Sequence, residues 1–333
     1  MIVRFGYVAM SMVVQNASPS KTMTMASFNK IGDRDAALRK LERIAQENLH
    51  NTLRLLKHSV AHDIKVYRFS SKLVPLATHP DLADWNPMAI LQDSFAEIGD
   101  FVHKHGMRVS FHPDHFTVLS TPRPEVLINS VRDLQHHVAM LKAMGLNATA
   151  KNNIHIGGAY GDKLTSAARF EEHCSQLSQD IKERLTLEND DKTFNAVETL
   201  SVCQNSGLPM VLDIHHQWVN NEGERPWELW PDILKTWQSS LAQADTLPGT
   251  PLAPKIHVSS PRSVTDIRSH ADGIEIGPLL DFLRHISQDT QHLDVMIEAK
   301  SKDVALFDLM KDMKQNTSEG ITILDDASIE ILI

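Results

Sequence analysis

Short apolar runs alternate along the chain with longer segments whose apolar residues recur at helical spacing. The short runs predict eight strands, at Val3–Met10, Lys65–Ser71, Arg108–His112, Asn153–Ile156, Leu185–Glu188, Pro209–Ile214, Lys255–Val258 and Asp294–Glu298. The longer segments predict eight helices, near Asp33–His58, Pro87–Lys104, Pro124–Met144, Thr165–Arg184, Ala196–Gln204, Trp227–Ser240, Gly277–Ser287 and Val304–Lys314. No shift in composition between these elements marks a linker.

Strict alternation of eight strands with eight helices predicts an α/β protein built as a single (β/α)8 TIM barrel. We assign residues 1–315 to this barrel as the catalytic domain. Residues 316–333 form a C-terminal tail without a predicted element. Active sites of such barrels lie at the C-terminal ends of the strands, so the residues found there are the first candidates for function.

Six of the predicted strands carry a side chain that can bind a metal at their trailing end. These residues are His112, His155, Glu188, Asp213, His257 and Glu298. One histidine in a strand is usually a core residue. Six polar groups at six equivalent strand ends would be costly to bury without partners, so the pattern predicts a metal centre at the mouth of the barrel.

Composition limits the chemistry of such a centre. The chain has 18 His but only two Cys, Cys174 and Cys203, which indicates reduced thiols and a centre of nitrogen and oxygen ligands. Such ligands favour Mn, Zn or Fe at a hydrolytic site over a structural zinc. The formal net charge of −9 argues weakly against binding to nucleic acid, because phosphate affinity needs local positive charge.

The N-terminal segment MIVRFGYVAMSMVV is apolar enough to suggest a signal peptide. Arg4 interrupts it and no basic segment precedes it, so we interpret it as the first strand. No stretch of about 18 uninterrupted apolar residues occurs that would predict a membrane span. We therefore expect a cytoplasmic monomer without a membrane partner.

The motifs at the strand ends, taken together, resemble the UV-damage endonuclease family. They are YRFSS (67–71), THP (78–80), SFHP (110–113), IHIGG (154–158), TLEN (186–189), LDIHH (212–216), KIHVSS (255–260), SHAD (269–272) and IEAKSKD (297–303). The resemblance covers residues 2 to 315 and implies a manganese-dependent (β/α)8 enzyme that nicks damaged double-stranded DNA beside UV photoproducts. The fold and the ligand spacing are also similar to those of endonuclease IV.

This resemblance implies three Mn²⁺ ions, with Zn²⁺, Mg²⁺ and Co²⁺ as alternatives. Glu188 would bridge two ions as a catalytic residue. The remaining implied ligands are His79, His112 and His155 for the first ion, Asp213, His257 and Glu298 for the second, and His216 and His270 for the third. If the strand continued past Ile214, His216 would point away from Asp213, so the chain must leave the strand before His216.

Lys255 lies two residues before His257, on the same face of its strand. A lysine beside metal ligands suggests a catalytic amine that is neutral or carbamylated, as the equivalent lysine of the family is thought to be. The alternative is a lysine whose charge reaches solvent or a phosphate.

Six residues are candidate DNA contacts: Tyr7, His115, Phe116, Lys163, Arg262 and Lys300. The family often carries Gln-Tyr where this chain has His115 and Phe116. Phe116 can still stack on an exposed base and His115 can still donate a hydrogen bond, so the departure bears on which lesions are recognised.

The function implied by the resemblance is hydrolysis of the DNA backbone 5′ to cyclobutane dimers and 6-4 photoproducts, which leaves 3′-hydroxyl and 5′-phosphate ends. Three alternatives remain open at this point. They are an abasic-site endonuclease resembling endonuclease IV, a metal-dependent sugar isomerase on a similar barrel, and a non-catalytic binding module.

Overall fold

A computed structural model describes residues 1–315 and 320–332 of the chain. Its strands are β1 (Ile2–Val8), β2 (Val66–Arg68), β3 (Arg108–Phe111), β4 (Lys151–His155), β5 (Leu185–Glu188), β6 (Met210–Asp213), β7 (Lys255–Val258), β8 (Pro261–Ser263), β9 (Asp266–His270), β10 (His292–Ile297), β11 (Ile321–Asp325) and β12 (Ser328–Ile331). Its helices are α1 (Met25–Asn29), α2 (Arg34–Ala61), α3 (Pro87–Ile90), α4 (Gln92–Lys104), α5 (Pro124–Ala143), α6 (Lys163–Ser175), α7 (Gln179–Lys182), α8 (Ala196–Ser206), α9 (Ile214–Val219), α10 (Pro226–Thr236), α11 (Ile276–Ile286) and α12 (Lys302–Gln315).

Strands β1 to β7 and β10 form one parallel sheet, in which each strand pairs with the next along the chain. The sheet closes on itself because β10 also pairs in parallel with β1, with Val3 opposite Leu293 and Tyr7 opposite Ile297. Helices fill the connections between the strands. The predicted (β/α)8 TIM barrel is thereby confirmed, and its C-terminal strand ends meet at one mouth.

Several features differ from the predicted elements. Strands β8 and β9 form an antiparallel hairpin directly after β7. Strands β11 and β12 form a second hairpin, which pairs antiparallel with β1 outside the barrel. The helix predicted for Thr165–Arg184 is divided into α6 and α7, because Ser178 has an extended backbone before α7. The side chain of Asp162 caps the start of α6. Residues 316–319 and 333 of the predicted tail lie outside the described residues.

Within residues 1–315 and 320–332, no helix combines the length and the apolar character that a membrane crossing requires.

A buried ion network holds together the end of the barrel at which the strands begin. The Asp294 carboxylate on β10 accepts hydrogen bonds from Arg4 Nε at 2.7 Å and from Arg108 Nη1 at 2.6 Å. Since Arg108 is on β3, which is not a neighbour of β10 in the sheet, this contact crosses the barrel interior. Burial raises the pKa of Asp294, but the charges of Arg108 and Arg4 outweigh burial and keep the pKa below its usual value.

We expect Asp294→Asn to lower the free energy of unfolding by about 3–5 kcal/mol, because it leaves the buried Arg108 charge without its carboxylate. A carboxylate with a depressed folded-state pKa stabilises the fold above its unfolded pKa and loses that contribution as pH falls through the folded pKa. The difference between variant and wild type should therefore shrink in acid. Urea unfolding at several pH values measures it, and Asp326→Asn, at an exposed ion pair, is the control that should unfold like the wild type.

Candidate metal centre

The strand ends of the barrel bring the predicted ligands together. His112 and Glu298 directly follow β3 and β10, and His155, Glu188 and Asp213 end β4, β5 and β6. His257 lies on β7, one residue before the strand ends. Two groups of side chains have ligand atoms within 4.8 Å of one another: His112, His155 and Glu188, and Glu188, Asp213, His257 and Glu298. Glu188 belongs to both groups, as expected of a bridging carboxylate.

Glu188 makes polar contacts with several of these side chains and is only 1% exposed. Its Oε2 atom lies 3.2 Å from His112 Nε2 and 3.0 Å from His257 Nδ1. The Asn153 amide also donates to this oxygen. Burial raises the pKa of Glu188, but the charges of His257 and His155 outweigh it and hold the pKa well below its usual value. The carboxylate is therefore ionised inside the barrel.

The second group concentrates negative charge around His257. His257 Nδ1 lies 3.0 Å from Glu188 Oε2 and 3.0 Å from Glu298 Oε1. Burial lowers the pKa of His257, but Glu188 and Glu298 together raise it to about 9. Arg68, at the end of β2, contacts the same Oε1 atom of Glu298. Together with His257 it keeps the pKa of Glu298 well below its usual value against the effect of burial.

Two buried atoms of this group have no hydrogen-bond partner among the described residues, and they test whether the site fits a cation. Asp213 Oδ2 accepts no hydrogen bond from that part of the chain, and His257 Nδ1 approaches two carboxylate oxygens without hydrogen-bond geometry. Buried polar atoms are normally partnered, and burial raises the pKa of Asp213 above its usual value. A divalent cation among these nitrogen and oxygen donors would satisfy both atoms, and a donor set of imidazole and carboxylate suits Mn²⁺ or Zn²⁺.

Four histidines at the mouth share one arrangement, in which the backbone holds the Nδ1 side of the ring. His112 Nδ1 lies 3.0 Å from the Pro113 carbonyl oxygen and His155 Nδ1 lies 3.2 Å from that of Glu188. The other two contacts are His216 Nδ1 with the Asn189 carbonyl oxygen at 2.9 Å and His270 Nδ1 with the Glu298 carbonyl oxygen at 2.7 Å. An Nδ1–H donated to a carbonyl leaves Nε2 as the metal-binding nitrogen, as in most histidine metal sites.

His216 reaches the site because the chain leaves the strand at Asp213. Asp213 Oδ1 caps helix α9 by accepting the backbone N–H of His216 at 2.8 Å, so both side chains are on the same side. The strand therefore ends before His216, as its predicted role requires, and a helix follows it. The rings of His216 and His270 are 6.2 Å apart between centroids. The neighbouring His215 has both ring nitrogens occupied, by Ser259 Oγ and the Ile267 carbonyl oxygen.

His79 is a predicted ligand that lies apart from the cluster. It begins a short 3-10 helix, Pro80–Leu82, and its Nδ1 accepts the backbone N–H of Asp81 at 3.2 Å. It belongs to neither group of converging ligand atoms in the described residues. The loop after β2 has its own capping hydrogen bond at this position, which sequence spacing does not reveal.

Lys255 lies beneath the ligands, inside the barrel. Its Nζ donates to Ser110 Oγ at 2.9 Å, and the residue is 4% exposed. Burial, followed by the charge of Arg108, lowers the pKa of this amine well below its usual value. A lysine reaching solvent, the alternative interpretation of the sequence, does not match this position.

Two predicted DNA contacts are engaged elsewhere in the structure. Tyr7 is fully buried, and its hydroxyl shares a hydrogen bond of 3.1 Å with Ser59 Oγ, so it is a core side chain. Lys163 Nζ donates to both carboxylate oxygens of Glu198 at 3.0 Å. That pairing joins α6 to α8 and leaves the Lys163 side chain 41% exposed, so of these two residues Tyr7 alone is withdrawn from the surface.

The other four candidates lie in exposed segments that follow strand ends. His115 and Phe116 follow β3, and Phe116 is 59% exposed. Arg262 lies on β8, and Lys300 follows β10. Both of these basic residues are exposed. These side chains surround the mouth at which the ligands converge.

Sequence reasoning missed the residues that hold the ligands in place. Arg68 pairs with Glu298, and the amide of Asn189 donates to the Asp213 carbonyl oxygen at 3.0 Å. Arg68 ends its strand like the ligands on the neighbouring strands, and that position is the signal that could have identified it.

Comparison with known proteins gives consistent results for sequence and structure. The sequence profile of the family described as UV-endonuclease UvdE matches residues 3–330. The UV DNA damage endonuclease of Bacillus pumilus is 44% identical over 311 residues, which are 93% of this chain and 93% of that protein. The UV DNA damage endonuclease of Bacillus velezensis is 43% identical over 314 residues, which are 94% of each chain.

Among solved structures, SacUVDE matches with a TM-score of 0.79 and 26% identity, over 95% of this chain and 99% of that chain. Endonuclease IV from Thermus thermophilus matches with a TM-score of 0.52 over 94% of this chain and 99% of that chain. At 13% identity, the second match shows the fold alone.

We expect the wild-type protein to bind about three divalent ions and to melt at a higher temperature in their presence, because a ligand that binds only the folded state stabilises it. Glu188→Gln should reduce the bound metal and most of the Mn²⁺-dependent rise in Tm. Elemental analysis of protein purified without chelator and thermal melts with and without Mn²⁺ measure both effects. Glu47→Gln changes an exposed carboxylate paired with Lys21 and should behave as wild type, whereas one ion or none per wild-type chain would contradict the cluster.

Proposed function

Because the chain belongs to the UV-endonuclease UvdE family, we propose that it hydrolyses the backbone of damaged double-stranded DNA at this metal centre. The cut lies 5′ to cyclobutane dimers and 6-4 photoproducts and leaves 3′-hydroxyl and 5′-phosphate ends. The barrel of residues 1–315 is the catalytic domain, and the protein acts as a monomer. The observation that carries the proposal is the convergence of buried ligand atoms at the barrel mouth, two of them without hydrogen-bond partners in the described part of the chain.

The proposed cofactor is a set of three divalent ions, manganese by preference. His112, His155 and Glu188 would hold one ion, Glu188, Asp213, His257 and Glu298 the next, and His216 and His270 the third. Such ions, when bound, activate water near neutral pH and stabilise the attacking and leaving oxygens of phosphoryl transfer.

The residues of the chain fix the geometry that this chemistry needs. Arg68 holds Glu298, Asn153 holds Glu188, and the backbone carbonyls orient four imidazole rings. These contacts set the ligands before substrate binds, so little reorganisation is needed during reaction. Partners of this kind typically affect metal affinity or activity about 10- to 100-fold.

Lys255 is proposed as a catalytic residue in a neutral or carbamylated form. Its amine is buried below His257, and its lowered pKa disfavours the ammonium form. The neutral amine retains a lone pair, which is the state that carbamate formation requires. A carbamate at this position would add an oxygen ligand to the centre and would remove the problem of a cation beside other cations.

DNA recognition is assigned to the exposed loop after β3. Phe116 can stack on a base or fill the space left by flipped bases, and His115 lies beside it with 5.9 Å between ring centroids. Unstacking costs least at a lesion that already distorts the duplex. Selection for damage would then come mainly from the deformability of the DNA.

We expect Glu188→Gln to reduce nicking of UV-irradiated duplex in Mn²⁺ at least ~10³-fold, because the bridging carboxylate would serve two ions at once. Nicking rates on UV-irradiated, abasic and intact duplexes, with and without chelator, measure this and distinguish a lesion-specific enzyme from an abasic-site endonuclease. Glu47→Gln is again the control. A Glu188→Gln enzyme with most of its activity would remove Glu188 from the centre of the mechanism.

Phe116→Ala should weaken binding to damaged duplex by about 1–3 kcal/mol through lost stacking, while bound metal and Tm stay unchanged. Binding isotherms and thermal melts on the same preparation are needed. Leu247→Ala, which truncates a side chain that is 73% exposed at the opposite end of the barrel, is the matched control. A fall in Tm with unchanged lesion binding would identify Phe116 as a packing residue and place the probe elsewhere.

A further inference from the structure

The loops after β3 and β7 face each other across the barrel mouth. In the closed ring of eight parallel strands, β4, β5 and β6 separate β3 from β7 on one side, and β2, β1 and β10 separate them on the other. The two strands are therefore diametrically opposed, and the metal centre lies between their ends. The loop after β3 carries the exposed Phe116, which raises the question of what the loop after β7 presents.

The loop after β7 is the hairpin of β8 and β9, and its turn exposes one apolar side chain, Val264. Strands β8 and β9 pair with Pro261 opposite His270 and Ser263 opposite Asp266. Val264 lies in the turn between them and is 95% exposed. An aliphatic side chain that is fully hydrated at the end of a projecting hairpin buries its surface only when something binds there.

The base of the hairpin is fixed to the metal centre. His270 Nδ1 lies 2.7 Å from the Glu298 carbonyl oxygen, the backbone N–H of Ala271 donates to the Ser260 carbonyl oxygen at 2.8 Å, and His215 Nε2 lies 2.6 Å from the Ile267 carbonyl oxygen. From His270 to the first residue of β9 is roughly 14 Å at the usual rise of a strand. The tip is thus held at a set distance from the proposed ligands.

Two arginines flank Val264 in the hairpin. Arg262 and Arg268 have side chains that are 63% and 55% exposed, and their nearest carboxylates, Asp266 and Asp191, lie at 3.6 and 3.7 Å. Exposed ion pairs of this length contribute little stability. Either guanidinium can therefore turn towards a phosphate at a small cost in free energy. The two arginines thus offer local positive charge on a chain whose net charge is −9.

We propose that the β8–β9 hairpin is a second DNA-binding element, which inserts Val264 as a wedge into the minor groove of the duplex, across the metal centre from Phe116. Two-stranded ribbons are established readers of DNA grooves. Apolar side chains inserted between base steps from the minor groove partly unstack them and kink the duplex. With Phe116 on one side and Val264 on the other, the kinked segment lies over the metal centre. This inference rests on the proposed function, because it takes damaged duplex as the substrate.

The test compares Val264→Asp with Leu247→Asp, since both place one negative charge at an exposed aliphatic position but at opposite ends of the barrel. Affinity for a duplex with a single cyclobutane dimer, measured by fluorescence anisotropy in Mn²⁺, should fall at least about tenfold for Val264→Asp. It should stay within about twofold for Leu247→Asp, which lies away from the proposed groove contact. Energy transfer between labels at the duplex ends should report a smaller bend for Val264→Asp, with bound metal and Tm at wild-type values.

Val264→Thr keeps the branched shape of the side chain and decides the outcome if the aspartate variant loses metal or stability. It should bind the lesion duplex about threefold more weakly and bend it less, because only the apolar character of the wedge is reduced. Wild-type affinity and bending in a folded, metal-loaded Val264 variant would overturn the hairpin proposal while the nuclease proposal stands. Failure of the wild-type protein itself to bind or cut damaged duplex would overturn both.

Discussion

Three carboxylates inside one end of the barrel, two of them buried and one nearly so, constrain the rest of the structure. Glu188 and Asp213 are almost without solvent contact, and Glu298 shares His257 Nδ1 with Glu188. Burial makes the ionised form of each costly, so positive charge must surround them. Histidines and Arg68 supply part of it, and the atoms left without partners among the described residues are those at which cations would complete the balance.

The surrounding contacts keep these ligands in place rather than neutralising them fully. Asn189 joins β5 to β6 twice, since its amide N–H donates to the Asp213 carbonyl oxygen and its amide oxygen accepts the Asp213 N–H. The pKa of His216 is raised to about 9, because Asp213 and Glu188 outweigh its burial. The other end of the barrel carries the Arg4–Asp294–Arg108 network. The barrel therefore has an ion network for stability at one end and an incompletely balanced charge cluster at the other.

The same arrangement explains how an acidic chain can have DNA as its substrate. A net charge of −9 opposes approach of a polyanion, but bound cations would reverse the local charge at the mouth. Exposed apolar side chains at Phe116 and Val264 would add contacts that do not depend on charge. Their placement after opposite strands sets the width of the surface that a duplex would cross.

The sequence by itself determined the barrel and most of its candidate metal centre. Local periodicity encodes which side chains share a face, and parallel strands must end at one mouth, so the six candidate ligands at the strand ends could be found without coordinates. Contacts between distant segments were decided only by the tertiary structure. Tyr7 reaches Ser59 in the core, Lys163 pairs with Glu198, and Arg68 reaches Glu298 across 230 positions. No local pattern encodes these pairings, because each depends on where a second, remote segment packs.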